Sequence, residues 1–218
     1  MLNLQTKLQE NPPCALDKDI TPNILSTSHL TFDNFLTDSE CESVVNYINS
    51  KYVLSPGLNR DNRITRNRNS SIAFVEPSDN INWLYEKILA KIIPINNKYQ
   101  KFDLTHLDRF QYVTYSEGQY LEHHTDDYFD YLQVNGESRD LLLRKLSVSI
   151  GLNDEYEGGD FEIQNFKGSV EEPYSISKFR LSKGSAIIFP SFQLHKVHEV
   201  TKGTRKAIVA WFFGPKWR

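Results

Sequence analysis

His124, Asp126, His195 and Arg205 are the residues of this chain whose types and spacing point to chemistry: a His-x-Asp pair, a distant His, and an Arg ten positions beyond it. Two imidazoles and one carboxylate are the donor set with which non-haem Fe(II) sites hold a metal on one face and leave positions open for reactants. The planar fork of an arginine suits the far carboxylate of a dicarboxylate cosubstrate.

Each residue has a plainer reading when taken alone. With 6 His and 14 Asp in 218 residues, composition yields about 0.4 His-x-Asp pairs by chance, so one pair is weak evidence. The chain has two. His106-Leu107-Asp108 precedes an expected strand without a turn before it, and is read as polar ends of that strand. His124-Thr125-Asp126 follows Tyr115 to Gly118, a strand and a glycine-containing bend. Alternate residues of an extended segment face the same way, so its two side chains can converge on one ion. The competing reading is an exposed polar segment, because His123, Asp127 and Asp130 crowd nearby. For the third ligand, His195 and His198 both follow the apolar run Ala186 to Pro190, and spacing leaves both open. Arg205 heads Lys206 to Trp211, the most apolar strand in the chain. A guanidinium facing that core is costly without an anionic partner, whereas one pointing outward needs no ligand.

The elements that must position these residues are short and rich in β-formers. Runs at 109–115, 145–153, 160–166, 179–181, 185–190 and 205–213 are separated by turn residues such as Glu157-Gly158-Gly159-Asp160 and Lys202-Gly203, with no helical period between them. This predicts a mainly β domain with supporting α-helices, a double-stranded β-helix or jelly roll. A strand is expected at 29–35. Thr37-Asp38-Ser39-Glu40 is a capping-box signature ahead of Cys41, Val44, Val45 and Ile48 at helical spacing. A second helix is expected from near Asp79, ending before Pro94, and both should pack against a sheet. Residues 1–28 carry Pro12, Pro13 and Pro22 without clear periodicity and read as an irregular lead-in. Residues 29–218 read as one domain, as the length favours.

Composition narrows the partners. A net charge of -3 provides no global field for nucleic acid or an anionic membrane surface. No stretch is long and apolar enough to span a bilayer, and Met1 to Pro13 lacks the basic start and apolar run of an export signal. The two cysteines, Cys14 and Cys41, therefore read as free thiols, and the expected location is cytoplasmic.

The ordered motifs carry a family resemblance. Tyr115-x-x-Gly118-x(5)-His124-x-Asp126, then Lys145-Leu146-Ser147-x(3)-Gly151-Leu152-Asn153, then Tyr156 to Phe161, resemble the 2-oxoglutarate/Fe(II) dioxygenases of the prolyl 4-hydroxylase-like superfamily. So do Gly184-Ser185-Ala186-x-x-Phe189-Pro190-Ser191 and His195-x-Val197-x-x-Val200-x-x-Gly203-x-Arg205 with Trp211. Residues 107–213 carry the resemblance, with Phe35 to Cys41 as an entry helix. It favours His195 over His198. It implies His124, Asp126 and His195 as catalytic iron ligands, Arg205 as anchor of the cosubstrate's distal carboxylate, Tyr115 as a hydrogen-bond partner there, and Trp211 as a wall. The chain departs from many relatives at Gly151, where they carry Tyr, and at His198-Glu199, where they often carry Thr-Pro.

The implied reaction is Fe(II)- and 2-oxoglutarate-dependent hydroxylation of a C–H bond with release of succinate and CO2. Prolyl or another peptidyl residue is the leading substrate, and L-ascorbate a candidate accessory cofactor. Retention of Asp126 favours hydroxylation over halogenation, since related halogenases lack that carboxylate. Alternatives are a small-molecule or free amino-acid hydroxylase and a catalytically silent jelly-roll binding module. A nucleic-acid demethylase lacks its basic field here. The partner is thus expected to be a peptide, protein or small molecule, without nucleic acid or membrane. Two segments bear on substrate: Arg60, Arg63, Arg66 and Arg68 form either a site entrance or a solvated polar edge. Residues 127–140 form either a lid or a surface loop.

Overall fold

Thr37 opens the first helix as its motif predicts. Its hydroxyl accepts from the Glu40 backbone N–H, and the Glu40 carboxylate accepts from the Thr37 N–H at 2.7 Å. Two donors that a helix start leaves orphaned are thereby met reciprocally.

The computed structural model of the chain describes residues 29–57, 68–134, 137–166 and 171–216, with the short pieces 2–3 and 20–21; for those two pieces, 129–134, 137–140 and 166 it describes backbone alone. In chain order the elements are β1 (Leu2–Asn3), β2 (Ile20–Thr21), β3 (Leu30–Phe32), α1 (Asp38–Lys51), β4 (Ser55–Pro56), β5 (Arg68–Asn69), β6 (Ser71–Val75) and α2 (Asn82–Ile95). There follow β7 (His106–Leu107), β8 (Phe110–Ser116), β9 (Tyr120–His124), β10 (Phe129–Val134), β11 (Glu137–Gly151), β12 (Tyr156–Gly158), β13 (Phe161–Phe166), β14 (Tyr174–Phe179), β15 (Ala186–Pro190), β16 (His195–Val197) and β17 (Val200–Gly214).

These strands form the double-stranded β-helix that the sequence pattern predicts. Among the described residues the major sheet runs β2-β3-β15-β11-β17-β8-β6-β4, and the minor sheet runs β14-β13-β16-β9-β5, all antiparallel. Period-2 alternation divides the major sheet's side chains between two cores. Phe110 and Tyr112 on β8, and Ile208, Ala210 and Phe212 on β17, pack with α1 and α2. Val113 and Tyr115 on β8, with Ala207 on β17, face the minor sheet and meet Phe161, Ile163 and Val197. Helices, major sheet and minor sheet are therefore three layers, and the site lies between the two sheets.

Two local expectations, the end of α2 and the strand at 179–181, are corrected. Helix α2 does not stop before Pro94; it includes that proline and passes into a π-helical turn, Asn96–Gln100. Its buried face, with Leu84, Ile88, Ile92 and Ile95, continues across the proline and holds it in place. The turn ends where Lys101 adopts φ 56° and the buried Asn96 amide bonds the Phe102 backbone on both sides. The strand expected at 179–181 instead ends at Phe179, paired with Phe161. Within 127–140, Phe129–Val134 pairs antiparallel with the first part of β11, Phe129 opposing Leu143. Within the lead-in, β1 and β2 pair with β7 and β3. Arg60, Arg63 and Arg66 lie outside the described residues, as does Cys14.

Candidate metal and cosubstrate site

His124 closes β9 and His195 opens β16, and the two stand directly opposite each other as an antiparallel pair, ring centroids 4.1 Å apart. Each ring is aimed by the same device. Nδ1 of His124 donates to the Glu122 carbonyl and Nδ1 of His195 to the Gln193 carbonyl, both at 2.8 Å and both two residues back. A carbonyl can only accept, so Nδ1 carries the hydrogen and Nε2 keeps its lone pair for a metal.

Asp126 lies just past the end of β9, and its backbone N–H donates to Ser191 at 2.7 Å. Its Oδ1 lies 3.6 Å from Nε2 of His124, and its Oδ2 lies 3.6 Å from Nε2 of His195. One ligand atom from each of the three residues lies within 4.8 Å of the others, the only such group of three among the described residues. Oδ2 also accepts from the Trp211 indole N–H at 3.0 Å and the Ser147 hydroxyl at 2.9 Å. Trp211 in turn has the Arg144 guanidinium over its ring at 3.7 Å, and Arg144 lies 3.8 Å from Asp108. The competing His106-x-Asp108 pair therefore does other work: Asp108 faces Arg144, and the His106 ring contacts Thr105. His198, the rival third ligand, is on the far side of the minor sheet, 2.7 Å from Glu162, which also takes His123 at 2.9 Å.

Protonation suits metal binding. Burial pushes the Asp126 carboxyl up, but His195, His124, Arg144 and the Trp211 N–H more than reverse this and leave it at about 2. Burial drives His195 down to about 4, although Asp126 pulls the other way. At neutral pH the carboxylate is ionised and the His195 imidazole neutral, as a metal ligand set requires.

Arg205 is only 2% exposed, and its Nε and Nη2 have no hydrogen-bond partner. It pairs across strands with Tyr115, whose ring lies 5.5 Å from the guanidinium carbon. Burial raises the Tyr115 phenol above its ordinary value, with the Arg68 and Arg205 charges opposing, so it remains a neutral donor. The Glu157–Asp160 turn closes on the arginine stem: Gly159 has φ +64°, and a Cβ there would fall 3.1 Å from Arg205 Cδ. Arg205, Tyr115, His124, Asp126, His195 and Trp211 all line one cavity, so every residue singled out for the site is brought together. A buried, unpartnered fork beside a two-histidine, one-carboxylate set fits a dicarboxylate next to Fe(II). Sequence reasoning assigned no role to Ser147, which its alternation with Ser149 along an inward-facing strand could have flagged, or to Arg144.

The glycine at 151 has a structural reason. A Cβ there would lie 2.4 Å from the Ser182 carbonyl and 2.6 Å from that of Leu181, so backbone fills the space a side chain would need.

The motif order and this geometry coincide with one family. The family model described as the 2OG-Fe(II) oxygenase superfamily matches residues 110–213, the span from β8 to β17 that holds every residue named above for the site. Over that span the chain is similar to that superfamily. The chain is 34% identical over 102 residues to a PKHD-type hydroxylase of Psychrobacter sp. (strain PRwf-1), covering 46% of this chain and 36% of the relative. It is 32% identical over 99 residues to one of Idiomarina loihiensis, covering 44% of this chain and 38% of the relative. The chain thus spans little more than a third of the length of the curated relatives it matches. Among solved structures, a Pseudomonas putida prolyl-4-hydroxylase superposes with TM-score 0.66 at 15% identity, covering 87% of this chain and 94% of that one. A prolyl hydroxylase from Trichoplax adhaerens, solved with a hypoxia inducible factor peptide fragment, superposes with TM-score 0.65 at 20% identity, covering 86% and 84%. At these identities the likeness is one of fold. No helix among the described residues is long and apolar enough to cross a membrane.

Proposed function

We propose that this chain is an Fe(II)- and 2-oxoglutarate-dependent hydroxylase acting on a C–H bond, with a prolyl or other peptidyl residue as its leading substrate and succinate and CO2 as coproducts. The observation that carries this reading is the joint one: His124, Asp126 and His195 converge on one point, and the unpartnered fork of Arg205 lies in the same cavity. Fe(II), when bound with 2-oxoglutarate and O2, supplies the oxidising power.

The chain's own residues do the rest. The two histidines offer Nε2 because backbone carbonyls hold their Nδ1 hydrogens. Asp126 supplies the anionic ligand, its orientation fixed by Trp211 and Ser147. Arg205 neutralises and positions the distal carboxylate, with the Tyr115 hydroxyl as a neighbouring donor. Phe161, Phe189 and Val197 keep the cavity walls apolar and exclude water. Residues 29–218 are proposed as one functional domain and the cytoplasm as its location. The similarity to PKHD-type hydroxylases supports a hydroxylase, and the likeness in fold to prolyl hydroxylases points toward proline.

The test is to incubate the iron-loaded protein with 2-oxoglutarate, O2 and a panel of proline-containing peptides. Stoichiometric succinate and a peptide that gains one oxygen atom are expected. A second panel of free amino acids tests the small-molecule alternative. Metal-replete protein that consumes no 2-oxoglutarate with either panel would move the chain toward a silent binding module.

A further inference from the structure

The cavity holds a second arginine that the chemistry above does not use. Arg68 sits on β5 at the edge of the minor sheet, paired with Leu121 on the strand that ends in His124. Its half-buried side chain crosses to the major sheet. Nε donates to the Ser70 hydroxyl at 2.8 Å and Nη2 to the Gln111 side-chain carbonyl at 2.9 Å, and both partners are buried. Backbone packs on it as well: Gly57 N–H donates to the Ser70 carbonyl, and a Cβ at Gly57 would fall 2.6 Å from Arg68 Nε. The guanidinium is therefore held in place and lines the same cavity as the metal-ligand set and Arg205.

Two of its five N–H donors are occupied, which leaves three. No carboxylate pairs with it among the described residues. The cavity's own carboxylate, Asp126, already faces two imidazoles, Trp211 and Ser147. Charge counting points the same way. In the loaded site Asp126 offsets one guanidinium and the cosubstrate dianion offsets the ferrous ion, so one positive charge remains. Arg205 is fully buried and Arg68 half-buried, which places Arg68 nearer the mouth, where a substrate enters.

Resting on the hydroxylase reading above, we infer that Arg68 binds a carboxylate of the molecule being hydroxylated, so that the preferred substrate carries an acid group close to its reacting C–H bond. Such a carboxylate has two sources: the α-carboxylate of a free amino acid, or an acidic side chain beside the target residue in a peptide. The anchored, planar fork selects either over its neutral amide.

The test compares acid with amide in both arms, using the anaerobic protein loaded with Fe(II) and 2-oxoglutarate: L-proline against L-prolinamide, and end-capped Ala-Pro-Asp-Ala against Ala-Pro-Asn-Ala. Binding is read by calorimetry and turnover by succinate after admitting air, for wild type, Arg68→Gln and Arg68→Lys. In at least one arm the acid should bind wild type about tenfold or more tightly than its amide. Arg68→Gln should erase that preference through KM rather than kcat and leave the 2-oxoglutarate KM unchanged; Arg68→Lys should restore part of it. Equal binding of acid and amide in both arms would overturn the inference, as would a raised 2-oxoglutarate KM in Arg68→Gln, which would make Arg68 a cosubstrate anchor. Wild type that binds Fe(II) and 2-oxoglutarate but shows no acid preference contradicts only the role of Arg68. Wild type that binds neither contradicts the hydroxylase reading as well.

Discussion

Trp211 donates its indole N–H to Oδ2 of Asp126 at 3.0 Å while its ring carries the Arg144 guanidinium at 3.7 Å. One side chain thus walls the cavity, orients the carboxylate and transmits the position of a cation, and these roles can be separated. Trp211→Phe keeps an aromatic wall and removes the donor. Its Fe(II) affinity should fall about 10–100-fold, the usual cost of losing a partner that orients a metal ligand, with the 2-oxoglutarate KM nearly unchanged at saturating iron. Metal titration monitored by calorimetry checks this, and an unchanged iron affinity would show that Ser147 alone holds Asp126.

Arg205 should govern the cosubstrate alone. Arg205→Ala removes the buried fork, and the expected loss is about 2–5 kcal/mol of 2-oxoglutarate binding, a rise in KM on the order of a hundredfold. Arg205→Lys should recover only part of it, because a point charge lacks the bidentate geometry. A steady-state 2-oxoglutarate titration decides, and an unaltered KM in Arg205→Ala would place the anchor elsewhere.

Much of this site is legible along the chain, and what is not has a physical reason. His-x-Asp on an extended segment, an apolar strand headed by Arg205, and glycine-punctuated turns are local patterns, so they survive without tertiary information. The capping box at Thr37 is equally local. Arg68 is not readable in this way: β5 has two residues, and the direction of its side chain comes from pairing with β9 and from Gln111 on another sheet. Helix α2 passes Pro94 because a buried apolar face outweighs one lost hydrogen bond, a comparison that local propensity does not contain. His195 and His198 share their local context; strand pairing with His124 separates them by facing one inward and the other toward Glu162.

Gly151 should not accept a tyrosine. Gly151→Tyr would drive Cβ into the Leu181 and Ser182 carbonyls, so the variant should be strongly destabilised, by about 1–3 kcal/mol or more. Thermal denaturation of both proteins tests this. A variant as stable as wild type would mean that the 181–182 segment moves aside.

The metal-free protein should weaken in mild acid through His195. In the unfolded chain this imidazole takes a proton near its ordinary value of 6.5, whereas in the fold it resists until about 4. Between those values the unfolded chain binds more protons, so the contribution of His195 is fully present above about pH 6.5 and is lost as pH falls toward 4. Melting temperatures of chelated wild type and His195→Gln across this range are the measurement. The wild-type curve should fall more steeply, and parallel curves would contradict a buried neutral imidazole.

The most direct test of the central claim is anaerobic Fe(II) titration of the apoprotein with 2-oxoglutarate present, following the visible metal-to-ligand charge-transfer absorption in wild type, His124→Ala and Arg205→Ala. A band is expected in wild type that is absent in His124→Ala and that needs far more 2-oxoglutarate in Arg205→Ala. Iron-replete wild type without the band, or a His124→Ala variant that retains it, would contradict the assignment of His124, Asp126, His195 and Arg205 as a single oxygenase site.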